Sequence, residues 1–135
     1  MKTKRWLVRD CLPFTVIISM DVPQGRVEDL LTSALEGGSN YWYSDLEVKE
    51  WPKGKTKADF EFWHIEVPFL EGGVLQLMDD DENTHTLDRH KISQGLRVFA
   101  SKYPIHWDDF IEEGDDAITG DVFLQCCIFG EAVYG

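Results

Sequence analysis

Phe60-Glu61-Phe62-Trp63-His64-Ile65-Glu66-Val67-Pro68-Phe69-Leu70, then Glu71-Gly72-Gly73, then Val74-Leu75-Gln76-Leu77-Met78, is the stretch whose reading decides the fold. Apolar and polar residues alternate through 60–70. On a strand, Phe60, Phe62, His64 and Glu66 share one face, and Trp63, Ile65 and Val67 share the other. Glu71-Gly72-Gly73 reads as a tight turn and Val74–Met78 as the returning strand, so the pattern predicts a hairpin over 60–78.

Toward the N-terminus, Pro52–Lys57 is a polar, basic loop and Asn40–Trp51 reads as another strand. Gly37-Gly38 closes a short amphipathic helix over 26–36, whose apolar face is Val27, Leu30, Leu31, Ala34 and Leu35. Phe14–Met20, rich in β-branched residues, reads as a buried strand. Toward the C-terminus, Asp79–Glu82 ends the hairpin, and Thr84 or Thr86 is placed to cap a helix. That helix has the stripe Ile92, Leu96, Phe99 and Tyr103 and stops at Pro104. Trp107, Phe110 and Ile111 mark a brief helix. Residues 118–134 read as a last helix that is apolar nearly all round, as a central or dimer-forming helix would be. Strands cluster early and helices late. The expectation is an α+β fold: a small antiparallel sheet of three or four strands, including the 60–78 hairpin, against about four helices.

The 135 residues suit one domain, drawn over 1–135, without repeats or linkers. A hydrophobic fraction of 43% supplies a core, and 13% aromatic content sets the chain apart from disordered sequences. Net charge is −12, unevenly spread: residues 1–78 hold 12 acids and 9 bases, residues 79–135 hold 13 acids and 4 bases. Such a surface keeps a chain soluble. It also repels nucleic acid and anionic membrane and suits basic partners. The cysteines, Cys11, Cys126 and Cys127, are odd in number and two are adjacent, which argues against a disulfide framework. No signal-type apolar region follows the basic start Met1-Lys2-Thr3-Lys4-Arg5, and no run reaches the roughly 20 apolar residues of a membrane span. The expected compartment is the cytoplasm.

No HExxH, CxxC, Walker loop or nucleophile elbow occurs, so no catalytic residue, metal ligand or cofactor is assigned. His85 and His90 stand five apart, a spacing that does not stack on one helix face. Asp79-Asp80-Asp81-Glu82 imitates a divalent-cation site and keeps a carboxylate-metal enzyme as one alternative, although it lacks the alternate acids and closing Glu of a calcium loop. Asp108, Asp109, Glu112, Glu113, Asp115 and Asp116 form a second acidic band on and after the brief helix. A band of carboxylates is either a solvated face or a set of charges spaced to occupy a groove that grips phosphates. Asn40, Tyr41, Trp42 and Tyr43 follow the double glycine. On a strand, Tyr41 and Tyr43 point one way and Trp42 the other. They read either as core, with hydroxyls tied to backbone, or as an aromatic shelf for a base or a partner side chain. The shelf supports a nucleotide-sequestering alternative, with Lys49, Lys53, Lys55, Lys57 or Arg26 meeting phosphates.

Glu36-Gly37-Gly38-Ser39-Asn40-Tyr41-Trp42-Tyr43 resembles a segment of small acidic phage and prophage proteins of unassigned function. Gly120-Asp121-Val122-Phe123-Leu124-Gln125, Phe129 through Gly135, Ser93-Gln94-Gly95-Leu96 and Lys102-Tyr103-Pro104 are similar as well. The likeness runs from about residue 27 onward and leaves out the stretch up to Pro13. It implies expression inside an infected or lysogenic bacterium and carries over no catalytic residue. Acidity and this resemblance together lead to an expected non-enzymatic binding protein. Its partner would be a host protein, such as a nucleic-acid-binding restriction or CRISPR effector, with no direct nucleic-acid or membrane contact. A homodimer and a virion-assembly role remain open beside it.

Overall fold

In the computed structural model, which describes residues 13–114 and 116–135, the first regular element is helix α1, Gln24–Ser33. Val27, Leu30 and Leu31 recur at helical spacing and are buried on one face. A π-helical turn, Ala34–Gly38, carries Ala34 and Leu35 into the same core. Strand β1, Tyr43–Glu50, follows, then a short 3-10 turn, Lys57–Asp59. Helix α2, Trp63–Glu66, runs into a second 3-10 turn, Val67–Phe69. Strands β2, Val74–Asp79, and β3, Thr84–Leu87, complete a sheet of order β1-β2-β3. Helices α3, Arg89–Lys102, α4, Pro104–Ile111, and α5, Ala117–Phe129, end the fold.

Both strand pairs are antiparallel: Leu46 faces Leu77 across β1 and β2, and Leu75 faces Leu87 across β2 and β3. Alternation in β2 sends Leu75 and Leu77 into the core. The α+β class read from the sequence is the class observed, with three strands. Helix α5 lies centrally, against α3, α4, α1 and its π-helical extension, and touches β3. It gets this close because two contacts are glycines. A Cβ on Gly95 of α3 would sit 2.6 Å from the Cα of Cys127, and one on Gly120 of α5 would sit 2.8 Å from the Leu30 carbonyl oxygen. No helix among the described residues is long and apolar enough to cross a membrane.

Four local expectations are corrected. Residues 60–70 are not a strand, so the 60–78 hairpin does not form and β2 pairs with β1 and β3. Pro68 supplies no N–H for a ladder, and the Glu66 carboxylate reaches back to the Phe62 N–H at 2.8 Å, closing the helical turn α2 instead. Thr84 and Thr86 lie in β3; the cap of α3 is Asp88, which accepts from the Lys91 N–H at 2.9 Å. Phe14–Met20 belongs to no ladder and is exposed rather than buried. Helix α5 stops at Phe129 with Gly130 in left-handed backbone, and the chain beyond it folds back. Cys11 and Asp115 lie outside the described residues.

Candidate functional site

The π-helical turn decides where the aromatic segment points. Ser39 N–H donates to the Ala34 carbonyl at 2.9 Å, and the Ser39 carbonyl accepts from Trp42 N–H at 3.1 Å. Asn40, Tyr41 and Trp42 therefore lie in a turn, and the strand starts only at Tyr43. Trp42 is 1% exposed. It lies parallel to Tyr134, centroids 5.5 Å apart, with Phe129 at 5.4 Å. Tyr43 is half-buried and its hydroxyl donates to the Leu35 carbonyl. Burial, then the charge of Glu36, pushes its phenol above the ordinary tyrosine value. Of the two readings of this segment, core holds for the Trp42 ring, while Asn40 and half of Tyr41 are exposed. Lys49 does not join these rings: it stands near the far end of β1, about 20 Å along the strand from Tyr43.

Beneath the turn sits a carboxylate that sequence reasoning did not single out. Asp121, buried on α5, accepts at Oδ1 from Ser39 Oγ (2.7 Å) and Trp42 Nε1 (2.8 Å). At Oδ2 it accepts from the Tyr41 hydroxyl (2.6 Å) and Gln125 Nε2 (3.1 Å). Burial first, then the hydrogen bond and charge of Asp121, push the Tyr41 phenol up to about 12, against a smaller opposing effect of Gln125. Gln125 Oε1 in turn accepts from the N–H groups of Val133 (2.6 Å) and Tyr134 (2.8 Å), fastening the C-terminal strap over Trp42. The signal was present: a lone Asp in an otherwise apolar helix must find donors if it is buried. With four donors in place, this carboxylate holds segments together and has no lone pair left for chemistry.

Asp79 is a second internal hub. Its Oδ1 accepts from the N–H groups of Asp81 and Asn83, both at 2.9 Å, and its Oδ2 is 2.9 Å from His85 Nε2. The His85 contact, helped by these two N–H groups and opposed by burial, holds the Asp79 carboxyl below the usual range. The acidic run 79–82 is therefore the β2–β3 turn, with Glu82 at φ 66°. Among the described residues, no three His, Cys, Asp or Glu side chains are grouped as metal ligands would be. Cys126 and Cys127 are buried, and burial pushes the Cys126 thiol up to about 12, which keeps it protonated.

The remaining acids gather at the end of α4. Asp108, Asp109, Glu112 and Glu113 are all exposed. Among the described residues, no ion pair joins any of them to a base. Buried Phe110 anchors the helix, with the Arg26 guanidinium 4.5 Å over its ring and donating to its carbonyl. Glu112 N–H donates to the Asp108 carbonyl and Glu113, at φ 60°, closes the helix. These carboxylates thus crowd a helix C-terminus, where the backbone dipole is already negative. Asp116 does other work: it caps α5, accepting from the Thr119 N–H (3.0 Å) and Oγ1 (3.2 Å), and the N–H bond leads in lowering its pKa. Among the described residues, the band expected over 108–116 is thus four exposed acids on and after α4 plus one cap, Asp116.

No protein-family model matches the chain, and neither the curated proteins nor the solved structures contain a match to it.

Proposed function

We propose that this is a non-enzymatic binding protein, made in the cytoplasm of a bacterium carrying phage or prophage. It inhibits a nucleic-acid-binding defence protein of the host by offering carboxylates in place of phosphates. The acids that engage the partner are Asp108, Asp109, Glu112 and Glu113. One observation carries the reading: four exposed carboxylates at the negative end of α4, none of them in an ion pair among the described residues, an arrangement that costs stability. The carboxylates with internal work, Asp79, Asp116 and Asp121, are held by donors of their own chain. The resemblance to small phage proteins supports the setting, and the net charge of −12 supports the class of partner.

The test is affinity capture from the bacterial host, then titration of the captured protein against wild type and against Asp108→Asn/Asp109→Asn/Glu112→Gln/Glu113→Gln. The expected partner also binds DNA or RNA, and nucleic acid competes with this protein for it. Affinity should fall at least about tenfold as salt rises from low to physiological strength, and the neutralised variant should lose most of that dependence. An affinity indifferent to salt, or unchanged in the variant, removes the proposal.

A further inference from the structure

The segment Phe14–Met20 joins no ladder among the described residues. Phe14, Val16, Ile17, Ile18 and Met20 are 101%, 78%, 92%, 82% and 58% exposed. No backbone hydrogen bond joins these residues to another described residue. Their composition is that of a strand, with four consecutive β-branched residues, Thr15 to Ile18. An apolar strand with free N–H and C=O groups is a template for another sheet edge.

The sheet has an edge of matching length. β1 is an outer strand of eight residues, whereas β3, the other edge, has four and is touched by α5. Leu46 and Val48 of β1 lie against the core yet stay only partly buried, and no described strand pairs with the outer side of β1. Charge selects the partner. Asp45, Glu47 and Glu50 are exposed along β1, beside the single base Lys49, and the ladder shifts register near each end. Such features keep an edge from pairing indiscriminately. The chain that precedes Phe14 carries the complement: Lys2, Lys4, Arg5 and Arg9 against one acid, Asp10, in a molecule whose net charge is otherwise strongly negative. Within one copy, Val16, Ile18 and Met20 lie along α3 and α4, lining a groove with Leu96, Ala100 and Trp107, while β1 is held by β2 and α2.

We propose that Phe14–Met20 of each copy adds as a fourth strand to the β1 edge of a second copy, giving a two-fold, strand-exchanged dimer. Each copy supplies a strand and receives one, so the contact is self-complementary and closes at two.

Sedimentation equilibrium tests this on the full-length chain. Wild type is expected to be a dimer at micromolar concentration, loosening as salt rises. Val16→Pro/Ile18→Pro removes two ladder donors from a segment outside the core. It should give a monomer whose circular dichroism spectrum is that of wild type. Asp45→Lys/Glu47→Lys should weaken the dimer at least about tenfold, and adding Lys2→Glu/Lys4→Glu/Arg5→Glu to it should restore association. A monomeric wild type, or a dimer that survives the prolines, overturns the inference. So does a dimer lost with the prolines but indifferent to charge reversal on β1, which would place the segment in the α3–α4 groove instead.

Discussion

At the scale of single residues, Asp121 and Asp79 explain most of the polar order, and each makes a prediction. Asp121→Asn keeps an acceptor for Ser39 and Trp42 but turns an amide N–H₂ toward the Gln125 amide, donor against donor. The expected loss is about 1–3 kcal/mol in urea unfolding, and more for Asp121→Ala, which strands the Trp42 indole N–H. Tyr41 reports the same change. Its phenol is harder to ionise in the folded chain, so its stabilising effect is complete below the ordinary value of 10.0 and is lost as pH rises through about 12. In Asp121→Asn, ultraviolet titration should find that value lowered but still above 10.0, because burial, the largest cause, remains. Asp79 has the opposite sign. Its carboxyl binds a proton less readily when folded, so its stabilisation is present above the ordinary carboxylate range and vanishes as pH falls through the depressed folded value. Asp79→Asn should therefore be less stable than wild type near neutrality and approach it in acid, as read by urea midpoints. Neither hub was legible as a hub. The sequence shows that Asp121 and Gln125 sit one helical turn apart, but the four donors come from residues 39–42 and 125, and only folding brings the distant ones to α5. The segments Glu36–Tyr43 and Gly120–Gln125 thus meet at one carboxylate, which takes the Trp42 indole N–H inside the core.

At the scale of elements, legibility followed length. Helices α3 and α5 run 14 and 13 residues, long enough for an apolar stripe in one and an apolar surround in the other to stand out. Helix α2 has four residues, too few to express a period of 3.6, so the alternation of Phe60–Val67 passed for a strand. Pro68 was the contrary signal, and it outweighed alternation because a missing N–H cannot be repaired by side-chain pattern. Phe14–Met20 misled in a different way: its composition is that of a strand, but no strand among the described residues pairs with it. The α3–α5 contact offers the sharpest test at this scale. A methyl group on Gly95 meets the Cα and backbone N of Cys127 at 2.6 and 2.7 Å, so no side-chain rotation can make room. Gly95→Ala should gain helix propensity in α3 and still lose about 1–3 kcal/mol by overpacking, with the melting temperature falling. Buried Cys127 should then react faster with a thiol reagent, since the helices must part.

At the scale of the whole molecule, the balance of charge sets stability and binding against each other. The acids of α4 repel one another, Asp108 and Glu112 four residues apart on one face and Asp109 beside them, and all oppose the helix dipole. If they were only a solvated surface, neutralising them would be neutral or mildly favourable and nothing would be lost. If they grip a basic partner, the same substitutions stabilise the fold and weaken the complex. Asp108→Asn/Glu112→Gln should raise stability by roughly 0.5–1.5 kcal/mol at low ionic strength, summing two end-of-helix charges and one like-charge pair. Salt should erase the difference, because wild type gains from screening and the variant has less repulsion to screen. A variant less stable than wild type at low salt would mean that these carboxylates serve the fold, and that the face proposed for the partner must be sought elsewhere.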